Sequence, residues 1–422
     1  MPSRRQFLAA SAAATSAAVA VPAVHAAGKN TLKLALIGCG GRGSGAAAQA
    51  LTADKDVKLV AVADVFADQA TAAVANLKKL HGDRVDVAPD HVFVGFDAYK
   101  QAIEAADVVV LASAPGFRPQ HFAHAVEKNK HVFMEKPHAV DGSGVRSVLA
   151  SAKLAKEKGL SVISGFTYRF DAHKRDVVAK LHAGEIGDIQ TVHTSYLTGE
   201  LWDRSGKSQT PDPKQMEYQL RMWYYFPWLS GDFLVEQAIH NVDKACWVMN
   251  GRYPKSAVGL GGRQGRTADK FGTIWDHFSV CYEYEGGAKV FLNCRQIEGC
   301  VTDVSDHVYG TKGTCDLMRH TITAGGKTWH REGEYDLGAA YQLEHDELFA
   351  AIRSGKPVND AERSAYSTLM GIMGREAAYS GQKVTWEQML ASKQNLAPAE
   401  LAWAENPVPP AARPGRKSYK FA

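Results

Sequence analysis

The sequence predicts an α/β protein: an N-terminal Rossmann domain with a doubly wound parallel sheet, then a domain with an open, mainly antiparallel sheet. Three observations support this fold class. Short apolar runs alternate with helical segments up to about residue 165, and the first run ends in a glycine-rich turn. Later segments alternate apolar and polar residues with the period of a half-buried strand. The predicted domains are 27–140 and 141–394, with an extended tail at 395–422.

The dinucleotide site is predicted from a strand–turn–helix segment near the start of the chain. An apolar run from Leu32 to Ile37 is followed by glycines in the spacing G-x-G-x-x-G and then by small, helix-compatible residues. In this pattern Gly38 allows a tight turn, Gly40 lets the backbone approach a pyrophosphate, and Gly43 lets helix and strand pack closely. The helix N-terminus supplies free N–H groups to the phosphates. The turn residues assigned to the cofactor are Gly38, Cys39, Gly40, Gly41, Arg42 and Gly43.

A second apolar run predicts which dinucleotide is bound. Val57 to Ala63 lead into Asp64, which follows Gly43 by 21 residues. An acid at about this distance bonds the adenosine ribose, and its charge repels a 2′-phosphate, so NAD is favoured over NADP. Arg42 leaves NADP open, because a nearby guanidinium can accommodate that phosphate. The alternative is an α/β domain with a glycine-rich turn and no ligand.

The rest of the first domain alternates helices and strands. Helices are predicted over 67–80, 98–105 and 118–128, and buried strands over 107–112 and 131–134. Ligands bind beyond the carboxyl ends of the strands in such sheets, so the loops after 112 and 134 should face the cofactor. The further residues assigned to cofactor binding are Ser113, Pro115, His121, Glu135 and Lys136.

The first 26 residues are predicted to be an export signal. Arg4 and Arg5 form a twin-arginine start, an Ala-rich apolar stretch follows, and residues 24–26 resemble a small-residue cleavage site. The apolar stretch is too short and Ala-rich for a good membrane span. The alternative is a disordered or anchoring N-terminus. Export of a folded protein predicts a periplasmic location and a cofactor that is loaded beforehand and held tightly.

Composition narrows the range of functions. The chain is 45% hydrophobic and 22% charged, which is ordinary for a globular protein. Without Arg4 and Arg5 the formal net charge falls from +4 to +2, and there is no basic block, so nucleic acid is not an expected partner. The six cysteines show no C-x-x-C spacing, so neither a metal site nor a dense disulfide framework is predicted. The simpler interpretation of Cys39 is that its small side chain fills space in the turn.

Four segments together resemble the glucose–fructose oxidoreductase / inositol dehydrogenase (Gfo/Idh/MocA) family of two-domain sugar oxidoreductases. They are IGCGGRG, HVFMEKP at 131–137, GFTYRF at 165–170 and GDFLVEQAIHNVD at 231–243, in the family's order. The resemblance implies that Lys136 and His240 are catalytic. The family's carboxylate four residues before the histidine is usually aspartate and is here Glu236, which leaves its role open. The resemblance also implies a homo-oligomer, a dimer or tetramer, often paired through the open sheet face.

Residue spacing gives independent support for a catalytic cluster. A helix is predicted over 233–249, so Glu236 and His240 at i, i+4 share one face, and Asp243 lies near it. Glu236 or Asp243 can then orient the imidazole. The alternative is a salt-bridged row exposed to solvent. Lys136 ends a buried strand at the ligand-binding rim, where its alternative role is to anchor the nucleotide phosphates.

The predicted substrate residues come from two stretches. Tyr168 is assigned to catalysis, and Arg169 to either a sugar or a backbone carbonyl. The stretch 201–230 is rich in aromatic residues, which pack against the C–H faces of sugars. Its alternative is a packed loop or a subunit contact. The residues assigned to the substrate are Arg169, Trp202 and Tyr218 from these stretches, together with Asp243 from the predicted helix over 233–249.

These predictions lead to one principal hypothesis. The protein is expected to be an NAD-dependent oxidoreductase that acts on a sugar or glycoside hydroxyl, with His240 as general base and Lys136 stabilising the alkoxide. An alternative is net glycoside hydrolysis by transient oxidation, elimination, hydration and re-reduction. A third hypothesis is a cofactor-bound sugar sensor without turnover. Beyond export, no membrane partner is expected.

Overall fold

The first sheet has six parallel strands in a computed structural model that describes residues 31–201 and 208–415. The predicted export signal and Trp202 lie outside the described residues. The strand order is β3-β2-β1-β4-β5-β6, so the chain reverses direction across the sheet between β1 and β4. These strands are β1 (Leu32–Ile37), β2 (Val57–Asp64), β3 (Val92–Val94), β4 (Val108–Leu111), β5 (His131–Met134) and β6 (Val162–Ser164).

Helices on both faces bury this sheet. All four residues of β4 and of β5 are buried, as a doubly wound parallel sheet requires. The predicted strands and helices of this part agree with the structure to within one or two residues at each end. The helices are α1 (Gly41–Ala53), α2 (Ala67–His81), α3 (Ala98–Glu104), α4 (Arg118–Glu127) and α5 (Gly142–Glu157). Because β6 joins this sheet, the first sheet extends past residue 140, where its domain was predicted to end.

The second sheet has nine strands, mainly antiparallel, with one parallel pair between β7 and β10. Its order is β14-β13-β12-β11-β7-β10-β9-β8-β15. The strands are β7 (Ile189–Thr198), β8 (Ser256–Gly262), β9 (His277–Glu283), β10 (Lys289–Gln296), β11 (Asp303–Gly310), β12 (Gly313–Asp316), β13 (Thr321–Ala324), β14 (Lys327–His330) and β15 (Val384–Thr385).

The remaining helices pack partly on the second sheet and partly against the first domain. They are α6 (Ala172–His182), α7 (Met216–Arg221), α8 (Pro227–Ser230), α9 (Phe233–Glu236), α10 (Ile239–Val248), α11 (Leu337–Ser354), α12 (Ala361–Ser380) and α13 (Trp386–Ala391). Helix α12 is buried along most of its length. At Gly374 an added Cβ would lie 2.1 Å from the hydroxyl of Tyr282 on β9, so only glycine permits this close packing.

Helix α11 ties the second half of the chain to the first sheet. Its Arg353 forms an ion pair with Asp54 at 2.6 Å, and Gln342 donates to the carbonyl of Gln49. These contacts hold α11 against α1 and the turn that follows it in the first domain. In residues 31–201 and 208–415, no helix is long and apolar enough to cross a membrane. The same residues contain no group of three or more His, Cys, Asp or Glu side chains placed to hold a metal.

Candidate active site

A cavity of about 420 Å³ lies at the carboxyl ends of β1, β2, β4 and β5, between the two halves of the molecule. This is the edge at which doubly wound sheets bind ligands. The cavity extends from the glycine turn and Asp64 to Lys136 and His240. Residues assigned from the sequence that line it are Gly38, Gly40, Gly41, Arg42, Gly43, Asp64, Ser113, Pro115, His121, Glu135, Lys136, Glu236 and His240.

The three glycines of the turn have different geometric roles. Gly38 has a φ of +92°, and an added Cβ would lie 2.3 Å from the amide nitrogen of Ser113. At Gly43 an added Cβ would lie 1.9 Å from the carbonyl oxygen of Gly38, so glycine is required for helix and strand to pack. Gly40 has no atom within 4 Å of such a Cβ, and it faces open space in the cavity. The turn therefore fits the pyrophosphate of a dinucleotide at the N-terminus of α1.

Asp64 lies at the far end of this turn. Its carboxylate accepts hydrogen bonds from the backbone amides of Cys39, at 2.7 Å, and Phe66, at 3.0 Å. Burial raises the pKa of Asp64. Cys39 is buried, and its thiol lies against the carbonyl of Ala63, so its side chain fills the turn. The carboxylate of Asp64 is held at the position where the fingerprint places the ribose-binding acid.

Arg42 points away from Asp64. Its guanidinium donates to Glu135 and to Gln49, and it lies 3.4 Å from a carboxylate oxygen of Glu344. The carboxylate of Asp64 would therefore repel the 2′-phosphate of NADP, and Arg42 is not placed to compensate for this repulsion. The arrangement favours NAD over NADP.

Glu135 is a structural acid at the rim of the cavity. Its carboxylate accepts from Arg42 and, at 3.1 Å, from the backbone amide of Lys136. A Cβ added at Gly165 would lie 2.7 Å from this carboxylate, so the glycine makes room for it. Glu135 therefore lines the cavity while holding the loop that carries Lys136.

The loop after β4 forms another wall of the cavity. Ser113 bonds Nδ1 of His121 at 3.0 Å, and burial lowers the pKa of His121 to about 3, so its ring is neutral at pH 7. The buried guanidinium of Arg118 donates to the carbonyls of Ser113 and Pro137 and so links this loop to the one after β5. At Gly116 an added Cβ would lie 2.2 Å from the carbonyl oxygen of Trp228. The loop thus packs directly on the second half of the chain.

Lys136 and Glu236 form an ion pair across the cleft. The Nζ atom of Lys136 is 3.0 Å from Oε1 of Glu236 and 2.5 Å from its backbone oxygen. The side chains are 11% and 8% exposed, so both charges are largely shielded from water. The other carboxylate oxygen of Glu236 is buried and has no partner among the described residues. Glu236 therefore positions the ammonium of Lys136.

His240 lies beside this pair with both ring nitrogens available. Its imidazole has no hydrogen-bond partner in the described chain, and it lines the cavity. Burial, together with the positive charges of Lys136 and Lys244, lowers the pKa of His240 well below its usual value. A neutral imidazole at pH 7 can accept a proton. Tyr168 packs its ring perpendicular to the imidazole, with the centroids 5.5 Å apart.

The predicted continuous helix over 233–249 is wrong. It is broken between α9 and α10, where Gln237 has φ −107° and ψ −53°. The turn between the two helices is closed by short-range hydrogen bonds, such as the one from the His240 N–H to the carbonyl of Gln237. Glu236 and His240 therefore both line the cavity, although the backbone between them is not the continuous helix that their i, i+4 spacing predicted.

Several predicted substrate residues lie elsewhere. Arg169 forms a bidentate ion pair with Asp243, at 2.7 and 2.9 Å, and Asp243 also accepts from Ser367. Neither partner is among the cavity-lining residues of the described chain, so Asp243 does not orient His240. Tyr218 is buried, and its hydroxyl donates to the carbonyl of Lys270, so it is part of the core.

Comparison with known proteins identifies the family. Residues 32–166 match the model of an oxidoreductase family with an NAD-binding Rossmann fold, and residues 175–316 match the GFO/IDH/MocA C-terminal domain. The two matches follow one another and together cover well over half of the chain. The chain belongs to the Gfo/Idh/MocA family of NAD-binding oxidoreductases.

Relatives of this Gfo/Idh/MocA protein include proteins named as dehydrogenases. It is 25% identical to inositol 2-dehydrogenase of Rhizobium meliloti over 340 residues, covering 78% of this chain and 91% of the relative. It is similar in structure to scyllo-inositol dehydrogenase of Lactobacillus casei with NAD(H) and scyllo-inositol (TM-score 0.63, 20% identity, 84% and 99% of the two chains). Levoglucosan dehydrogenase with NADH and levoglucosan gives a TM-score of 0.66 at 16% identity, covering 84% and 99%.

Some cavity residues of this Gfo/Idh/MocA protein were missed by sequence reasoning. Gln237 lies between Glu236 and His240 in the sequence, and its Oε1 accepts from the hydroxyl of Tyr196 at 3.0 Å. The sequence signal for Gln237 was its position inside the segment GDFLVEQAIHNVD, which was already predicted to carry catalytic residues. The others come from distant parts of the chain, so no local pattern indicates them. They include Phe66, Phe96 and Tyr341, whereas Leu220, Arg221 and Trp223 lie in the stretch 201–230 that was considered for substrate binding.

Proposed function

We propose that this protein oxidises a secondary hydroxyl of a sugar or cyclic polyol, with NAD as the hydride acceptor. The observation that carries the proposal is the joint position of Lys136, Glu236 and His240 in the cavity that also holds the glycine turn. The names of the relatives agree with such a substrate, and they are dehydrogenases rather than hydrolases. We therefore do not carry the hydrolytic alternative forward.

The protein residues have separate roles in this reaction. His240 takes the hydroxyl proton, because its depressed pKa keeps the imidazole neutral and able to accept it. The ammonium of Lys136 hydrogen-bonds the same oxygen and stabilises the developing negative charge. Glu236 fixes that ammonium through its ion pair. When bound, NAD supplies the nicotinamide that takes the hydride as the substrate carbon becomes a carbonyl.

Gln237 supports a polyhydroxylated substrate over a simple alcohol. Since its Oε1 accepts from Tyr196, its amide nitrogen remains as a donor, and no described residue accepts from it. The natural acceptor is a second hydroxyl next to the reacting one. Tyr341 also lines the cavity, and the guanidinium of Arg42 lies over its ring, 4.9 Å from the centroid.

We further propose that residues 1–26 direct export by the twin-arginine route and that NAD travels with the folded protein. The twin arginines and the Ala-rich stretch support this proposal. Cell fractionation of the full chain tests it, with Arg4→Lys/Arg5→Lys as the matched control. We expect periplasmic protein for the natural sequence and cytoplasmic protein for the control. Periplasmic accumulation of both would contradict the proposal.

A homo-oligomer is proposed on the basis of the outer face of the second sheet. Val258, Leu260, Phe291 and Tyr309 expose between 37% and 66% of their surface on β8, β10 and β11. An exposed apolar sheet face favours pairing of subunits. Sedimentation of the natural chain and of Leu260→Asp tests this: the variant should be the smaller species.

The redox function is tested on purified protein. The nucleotide released by denaturation should be NAD, and addition of inositols and pyranoses to the native protein should produce the near-ultraviolet absorbance of NADH. The matched variant His240→Asn should keep the nucleotide and lose the signal. No reduction by any carbohydrate, with NAD bound, would refute the proposed function.

A further inference from the structure

We propose that Arg221 and Trp403, both from the C-terminal half of the chain, close the adenosine end of the cleft and retain the bound dinucleotide. This inference rests on the proposed function, because it takes the cavity to bind NAD. Asp64 marks the adenosine end, and the aromatic rings of Phe66 and Phe96 line the cavity next to it. We call Arg221 and Trp403, with their contacts on the first domain, the adenosine clasp.

Arg221 connects the end of α7 to the first turn of α2. Its two terminal nitrogens each lie 2.9 Å from an oxygen of Asp68, and its Nε is 3.2 Å from Glu217. Its guanidinium lies over the ring of Phe66, 3.6 Å from the centroid. The side chain is 10% exposed and lines the cavity, so this bidentate, stacked arrangement is well ordered by its partners.

Trp403 lies against the same aromatic wall from the C-terminal tail. Its ring centroid is 5.8 Å from that of Phe66 and 4.9 Å from that of Phe96. Contacts of this kind stabilise aromatic pairs beyond the burial of their area. The tail therefore crosses from the second half of the molecule to the adenosine wall of the first domain.

Buried hydrogen bonds fix the tail next to α7. The amide of Met216 donates to the carbonyl of Ala404 at 3.0 Å. The buried side chain of Gln219 donates to the carbonyl of Asn406 at 2.7 Å and accepts from the indole of Trp228 at 2.8 Å. Detaching the tail would break the bonds of Met216 and Gln219 to it, and the 2.9 Å bond from the side chain of Asn406 to Gln219, although Gln219 would keep its bonds to Trp228 and Pro213.

The clasp gives a physical basis for cofactor retention. Arg221 and Trp403 reach the same ring, that of Phe66, from two segments that are hydrogen-bonded to each other. An adenosine beside Asp64 would rest against Phe66 and Phe96, and Trp403, itself 54% exposed, packs on these rings without lining the cavity, so we expect it to slow release by holding them in place. A protein that works where free NAD is scarce benefits from slow release.

The test measures release of NADH from the purified full-length protein, without substrate. Loaded protein is mixed with excess NAD, and the loss of bound NADH fluorescence gives the dissociation rate. We expect Trp403→Ala to release NADH on the order of 10-fold faster than the natural protein, and Asp68→Asn a few-fold faster. Trp403→Phe should restore most of the retention. Trp329→Ala, the same deletion on the edge strand β14, is the control and should release NADH at the natural rate.

Each outcome decides one question. A natural dissociation rate in Trp403→Ala, with an unchanged melting temperature, overturns the clasp and leaves the redox function standing. Equal acceleration in Trp329→Ala also overturns it. If Trp403→Ala does not fold, Asp68→Asn decides: a natural rate in that variant overturns the proposal. If the natural protein binds no NADH, the cofactor assignment fails and the clasp fails with it.

Discussion

The ion pair between Lys136 and Glu236 allows a quantitative test of the site. Its atoms are 3.0 Å apart, and the side chains are 11% and 8% exposed. At this distance the Coulomb attraction is about 5 kcal/mol for an effective dielectric constant of about 20. Removing one partner of a buried pair costs about 3 to 5 kcal/mol, because the other charge stays buried without compensation. We therefore expect Lys136→Met to lower the free energy of unfolding by about that amount.

The same variant should impair catalysis in two measurable ways. Loss of the donor that stabilises the alkoxide should lower kcat by about 10²- to 10³-fold. Lys136 is also one of the charges that depress the pKa of His240, so its removal should raise that pKa toward its usual value. The acidic limb of the profile of kcat/KM against pH should then move to higher pH.

The control is the double variant Lys136→Met/Glu236→Gln, which removes both charges. Calorimetry should show a fall of about 5 °C for the single variant in a chain of this size, and recovery of most of it in the double variant. The kcat of the double variant should stay low, because the donor is still missing. Equal melting temperatures of the natural protein and Lys136→Met would refute the reasoning, as would full kcat in either variant.

Three further predictions concern the base, the cofactor and acid stability. His240→Asn should lower kcat by about 10²- to 10⁴-fold and leave the Kd of NAD unchanged in titration; an equal loss of NAD binding would contradict its role as base. Asp64→Ser should weaken NAD binding and raise the affinity for NADP relative to NAD on the order of 10-fold; an unchanged ratio would contradict the ribose contact. Seven of the described histidines have pKa values lowered in the folded protein, four of them most strongly through burial, so the unfolded chain binds more protons below pH 6.5. The stability that these neutral histidines contribute is therefore retained above pH 6.5 and lost as the pH falls below it. In urea titrations at pH 7.5, 6.5 and 5.5, we expect the free energy of unfolding to fall by up to about 5 kcal/mol per pH unit. A flat stability profile would contradict this burial. The four most strongly shifted histidines are His121, His138, His240 and His345.

Local patterns predicted the first domain closely. The strand at His131–Met134 was predicted with the bounds that the structure has, and the three glycines of the turn occupy the geometry that their spacing indicated. Both features depend on neighbours within a few residues, where periodicity and backbone sterics act. Glu236 and His240 both line the cavity, although the helix that was to carry them is broken at Gln237, and their roles stay a prediction.

Long-range partners could not be predicted in this way. Asp243 was assigned to the substrate, and Arg169 to either a sugar or a backbone carbonyl. The two side chains pair with each other in the interior, where Arg169 also donates to the backbone carbonyl of Asp243 at 3.2 Å. Tyr218 was assigned to the substrate because aromatic residues suit both sugar sites and cores. Only its burial against Lys270 distinguishes the two.

The sequence by itself determined the Rossmann turn, the preference for NAD through Asp64 and the alternation of the second sheet, and it predicted Lys136 and His240 as the catalytic pair. The tertiary structure alone decided that Glu236 pairs with the lysine, that Arg42 turns from Asp64 to Glu135, and that Trp403 packs on Phe66 and Phe96. The physical reason is range. Strand period, glycine geometry and motif spacing act between neighbours in the chain, whereas ion pairs and aromatic contacts join segments that only the packed fold brings together.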